Sequence, residues 1–172
     1  MKKIVLLLLF SQLIGFAQKG YPIPPDAAER LFYIQHSDNH NTFVYDVNFS
    51  ENNTVNDAEP IKIYRIAYTK GGVKEELSSV QRKFAYGITF KKIKESHYEF
   101  TLVAYPEKKL YLELDAKGKP QVKTIVNGKK MIVRRMFIAK AATKSVKPKI
   151  DFIDFYGNNE VGNIEIKERF YF

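Results

Sequence analysis

Apolar and polar residues alternate along most of this chain with a period of two. In TFVYDVNF (42–49), Phe43, Tyr45, Val47 and Phe49 fall on one side and Thr42, Val44, Asp46 and Asn48 on the other, the pattern of a strand buried on one face. Segments of the same kind run over 31–36, 61–68, 86–93, 97–105, 109–115, 121–126, 129–139, 150–156 and 163–172. Polar or Gly- and Pro-bearing turns separate them. Asn127-Gly128 is the most specific of these turns, because both residues accept the positive φ of a type I′ hairpin. Connections this short make sequential strands antiparallel neighbours, so the strands between 86 and 139 are expected to lie side by side as a meander.

One stretch departs from this period. In EELSSVQRKFAYG (75–87), Leu77, Val80 and Phe84 fall at i, i+3 and i+7, which predicts an amphipathic helix of about three turns seated on the sheet. Glu75 and Glu76 would stand at its positive end, Arg82 and Lys83 near its negative end, and Gly87 would supply a left-handed stop. The lead before the first strand, residues 18–30, is proline-rich and ends in a short helical turn capped by Asp26 and Glu29. The predicted fold is all-β with one short helix: a single domain over residues 31–172, an antiparallel meander forming a β-sandwich or a curled barrel. The longer crossings at 50–60 and 140–149 keep the sandwich open.

The N-terminus changes where this fold is expected to work. Lys2 and Lys3 precede the apolar run IVLLLLFSQLIGF, and Gly15 and Ala17 are small residues at the positions a signal peptidase reads, so residues 1–17 are expected to be a signal peptide cleaved before Gln18. The mature chain is then periplasmic or at the cell surface. No other apolar run approaches membrane-spanning length, which argues against a helical membrane protein. With 0 cysteines the chain can form no disulfide, thiolate metal site, cysteine nucleophile or lipid-modified N-terminus. The formal charge of +9 is concentrated in residues 106–149, where lysine and arginine far outnumber Glu107, Glu113 and Asp115. On an exported protein such a region meets anionic envelope components or acidic proteins rather than nucleic acid, or else covers the solvent face of a sheet.

Candidate chemistry is sparse. His36, Asp38 and His40 cluster in a turn without a third histidine, too little for a metal site. Arg134 and Arg135 lie mid-strand among apolar residues, and a register centred on the 140–149 loop sets Arg135 opposite Asp154 as a partly buried ion pair or as a grip for an anionic ligand. Ser78 and Ser79 lack the GxSxG context of a hydrolase, there is no phosphate loop, and no cofactor is expected. Tyr64, Tyr68, Tyr86, Tyr98, Tyr105 and Tyr111 lie on or beside strands, as at a glycan or lipid cleft or at a barrel rim. Ile164, Ile166, Phe170 and Phe172 share one face of the last segment, as in an outer-membrane barrel, but Glu168 interrupts that face.

The segments LFYIQ (31–35), NTFVYD (41–46), IYRIAY (63–68), ELSSVQRKFAYG (76–87), LVAYP (102–106) and NGK (127–129) resemble a family of secreted bacterial proteins defined only as a domain of unknown function, DUF4833. The resemblance covers the mature chain and implies an exported bacterial protein. It transfers no catalytic residue, and His36 stands where the family pattern often carries a basic residue. Because the helix is the richest shared block, the expected ligand or partner site lies between Gln81, Arg82 and Tyr86 and the strand carrying Tyr64, Arg65 and Tyr68, with Arg135 as a further candidate. The expected function is a non-enzymatic binding or interaction module of the periplasm or cell surface. The rival is an envelope hydrolase of glycan or lipid, with its acid and base among Glu75, Glu76, Asp46 and Asp154.

Overall fold

β-Branched and aromatic residues at alternate positions give eleven strands in the computed structural model, which describes residues 21–141, 149–161 and 163–172. The expected leader, residues 1–17, and its cleavage point after Ala17 lie outside the described residues. The strands are β1 (Arg30–His36), β2 (Asn39–Val47), β3 (Ile61–Ala67), β4 (Val73–Glu76), β5 (Ile88–Lys94), β6 (His97–Leu102), β7 (Tyr105–Leu114), β8 (Pro120–Val126), β9 (Lys129–Lys140), β10 (Ile150–Asn158) and β11 (Glu165–Tyr171). All belong to one sheet, in the order β4-β3-β2-β1-β9-β8-β7-β6-β5, with β10 on β9 and β11 on β10. The meander from β5 to β9 is antiparallel throughout, and its last turn places Asn127 at φ 50° and Gly128 at φ 78°.

The long strand β9 turns this sheet into a curled half-barrel. Its residues 129–133 pair with β8, its residues 135–138 pair with β1, and β10 runs beside 132–140. Since β10 is opposite both stretches, β8 and β1 share the remaining edge of β9 end to end. The sheet therefore forks at Arg134 into one arm of β1 to β4 and another of β5 to β8. The arms face each other: Phe32 of β1 stacks on Tyr45 of β2 at 4.4 Å and reaches Phe100 of β6 at 6.3 Å. Asp57, in the loop after β2, accepts from Tyr98 of β6 and Lys92 of β5. A single apolar cluster from β1, β2, β3, β6, β7, β8, β9 and β10 fills the space between the arms.

Four expectations are corrected. The sheet is mixed, because β1 pairs with β9 in parallel; short connections dictate only sequential neighbours, and these two strands are separated by most of the chain. The three-turn helix over 75–87 is not formed. Glu75 and Glu76 extend β4 instead, and Ser78 starts a helix α1 (Ser79–Gln81) whose capping box it closes with Gln81. A single π turn, Arg82–Tyr86, follows. Of the supposed stripe only Leu77 is buried, whereas Val80 and Phe84 are each 67% exposed. Gly87 is no left-handed stop: its φ is −66° with ψ 171°, and what it provides is room, since a Cβ there would lie 2.0 Å from the Arg82 carbonyl oxygen. The chain forms a single turn over 27–30 there, with the Arg30 amide donating to the Ala27 carbonyl, and no helix.

The lead crosses the outer face. Gln35 donates to the Pro22 carbonyl at 2.7 Å, Tyr68 to that of Ile23 at 3.2 Å, and Tyr21 stacks edge-on to Phe137 at 4.9 Å. In β11, Ile166 and Phe170 pack toward the core and Glu168 is buried beside them, held by Lys129 and Asn127, so the apolar side of this strand is directed inward. No helix among the described residues is long and apolar enough to cross a membrane.

Candidate ligand cavity on the inner face

A cavity of about 340 Å³ opens on the inner face between the two arms. From one side β1, β9 and β10 contribute Ile34, Met136, Ile138, Ile150, Ile153 and Phe155; from the other β6 and β7 contribute Leu102, Tyr105 and Leu110. The π turn closes one end with Ala85 and Tyr86, and the exposed members of the lining, Phe84 and Ala104, mark the mouth. The wall is mainly apolar and its size is at the small end of ordinary ligand sites. Among the described residues its polar members are His36, Tyr86, Tyr105, Lys108 and Lys140, with no carboxylate.

Tyr86 is fixed by the turn that bears it. Its ring stacks on Phe43 with 3.4 Å between centroids, and its carbonyl accepts the buried Tyr45 hydroxyl at 2.8 Å. Burial pushes the Tyr86 hydroxyl up to about 12 and that of Tyr45 well above its ordinary range, so both stay neutral. The His36 ring meets Phe43 and Tyr86 edge-on at 5.8 and 5.5 Å. Neither of its nitrogens has a hydrogen-bond partner among the described residues. Burial, and then the positive charge of Lys140, hold its pKa down to about 4, so the ring is uncharged at neutral pH.

The two lysines differ. Lys140 is paired with Asp38 at 2.7 Å. Lys108 has no acidic partner among the described residues. Its ammonium donates to the Ile125 carbonyl and lies 5.6 Å from the centre of the Phe155 ring, and burial lowers its pKa.

The residues singled out from sequence are divided by the sheet. Tyr86 alone of the seven lines the cavity. Arg65 faces the inner side and is held by Glu75, which also takes Lys70 at 2.8 Å. Gln81 caps α1, while Arg82 at the sheet edge reaches Glu76 at 3.5 Å and Glu59 at 3.7 Å. Tyr64, one residue before Arg65 on a pleated strand, points to the outer face. There it donates to Asp46 at 2.9 Å beside Arg30, and its hydroxyl is raised to about 12 by burial and by Asp46. Tyr68 is tied to the lead on that same face.

Arg135 also lies on the outer face, but not against Asp154. It is opposite Tyr156, with its guanidinium 4.1 Å from the ring centre, in a separate basic cleft with Tyr33, Arg134 and Lys167. The arginine that grips Asp154 is Arg169 of β11, with two hydrogen bonds of 2.7 and 2.9 Å. A bulge in β10 between Ile150 and Phe152, on the loop side of this pair, offsets the register assumed from the connecting loop. Burial acts to raise the Asp154 carboxyl, but Arg169 and Lys167 outweigh it and hold it below its ordinary range.

Glu75, Glu76, Asp46 and Asp154 thus sit in separate ion pairs and do not converge on the cavity. His36, Asp38 and His40 diverge as well: His36 is buried inward, Asp38 holds Lys140, and exposed His40 lies near Tyr21. Sequence reasoning missed Lys108 and the apolar wall. Lys108 looked like one more lysine of the basic region, and the wall residues are those any core would use.

A family model described as Domain of unknown function (DUF4833) matches residues 32–169. No similarity to a curated protein or to a solved structure was found.

Proposed function

Because the chain belongs to the DUF4833 family, which is defined without a known activity, we propose from its geometry that it is an exported, non-enzymatic binding module of the bacterial periplasm or cell surface, holding a small apolar or amphipathic molecule in its inner cavity. The observation that carries this reading is the cavity itself, apolar around most of its wall, open at Phe84 and Ala104, and free of any carboxylate that would serve as a hydrolytic acid or base. Export rests on the basic, apolar and small-residue pattern of residues 1–17.

The test is native mass spectrometry of the protein recovered from the envelope fraction of its host. The expected result is a chain beginning at Gln18 that carries a non-covalent adduct, removed by organic solvent and lost in Ala104→Trp, which plugs the mouth. A chain retained in the cytoplasm with its leader would overturn export. An adduct unaffected by Ala104→Trp, or none in either protein, would overturn the cavity as the binding site.

A further inference from the structure

We infer that the cavity is built for a single-chain anionic amphiphile, its tail lying along Ile138, Ile153 and Phe155 and its carboxylate or phosphate meeting the ammonium of Lys108; this rests on the cavity being the binding site. The wall itself shows the charge preference. Lys108 brings a cation to a mainly apolar lining, and the only acceptor it has found among the described residues is the neutral carbonyl of Ile125. Lys108 is half-buried, and even partial withdrawal of an ammonium from water without an opposite charge is unfavourable; burial lowers its pKa in that sense. An anion at this point would restore the missing partner. Lys140, the other cation of the lining, already has Asp38 at 2.7 Å, so the unmet charge is at Lys108 alone.

The lack of any acidic side chain among the described residues of the wall sets the sign. A cationic head would find only Asp38, already held by Lys140, near the described wall, whereas an anionic one finds Lys108 without an opposing acid. The size sets the tail: about 340 Å³ is at the lower limit of common ligand sites and suits one chain rather than the two of a bilayer phospholipid. The charge lies beside the tail path, because Lys108 sits over the Phe155 ring that lines the same space. Head and tail are therefore recognised by adjacent parts of one wall.

Calorimetric titration of the chain from Gln18 to Phe172 with decanoate, decyl phosphate and decanol tests this. The wild type is expected to bind at least one of the two anions at least tenfold more tightly than decanol, and the stronger of them distinguishes a carboxylate from a phosphate head. Lys108→Met, which keeps the apolar stem, should abolish that preference while leaving decanol affinity within about twofold, and Lys108→Arg should retain it. Equal binding of all three by the wild type, or a preference that survives Lys108→Met, would overturn the anionic head and leave the cavity intact as an apolar site. Failure of all three to bind would remove the cavity reading and this inference with it.

Discussion

His36 is the residue whose burial has the clearest measurable consequence. An ordinary histidine titrates near 6.5, whereas here the folded chain holds it down to about 4. Between those values the unfolded chain takes up a proton that the folded chain refuses, so stability is full above about 6.5 and is lost as the pH falls toward 4. The loss by pH 4.5 amounts to about 2–3 kcal/mol. Urea unfolding of the wild type and His36→Leu at pH 7.5 and pH 4.5 should show the wild type losing that much more than the variant; parallel losses would mean that His36 is not the titrating group. That the 31–36 segment ends on a histidine was plain in the sequence, but the direction of the ring was not, since the polar turn that follows suggested a solvated side chain whereas β1 sets it on the inner face and buries it. Arg135 shows the same limit. Its strand position was legible, but its partner depended on a bulge that no residue type announces.

At the scale of elements, the segment between β4 and β5 was the hardest to read. Leu77, Val80 and Phe84 have the spacing of a helical face, yet Leu77 is buried at the end of β4, ahead of the Ser78 cap, while the other two face solvent. The π turn that follows has the wider i→i+5 geometry, which breaks the 3.6-residue stripe; it is Tyr86 and not Phe84 that stacks on the sheet. Gly87 permits this turn by leaving space for the Arg82 carbonyl. Gly87→Ala should therefore destabilise the fold by about 1–3 kcal/mol, the range of an overpacked interior, and weaken ligand binding through displaced Tyr86. A change below about 0.5 kcal/mol, the scale of an ordinary surface substitution, would show that the turn yields freely. The strands, by contrast, were legible almost throughout, because their alternation and the Asn127-Gly128 hairpin are local signals.

At the scale of the whole molecule, β1 to β4 form one arm and β5 to β8 the other, and β9 joins them by offering one edge to β8 and then to β1. That fork, made between segments far apart in sequence, opens a space between the arms, and it was not readable from local pattern. The outer face carries the lead and the ion pairs at Asp46 and Asp154, while the inner face keeps an apolar cavity with a cation that has no acidic partner among the described residues. The most direct measurement of this arrangement is methyl NMR of the mature chain during titration with decanoate. Saturable shifts are expected at Ile34, Ile138, Ile150 and Ile153 with Val44 and Ile66 of the outer face unmoved. Shifts confined to Val44 and Ile66, or none at any of these methyls, would contradict this arrangement.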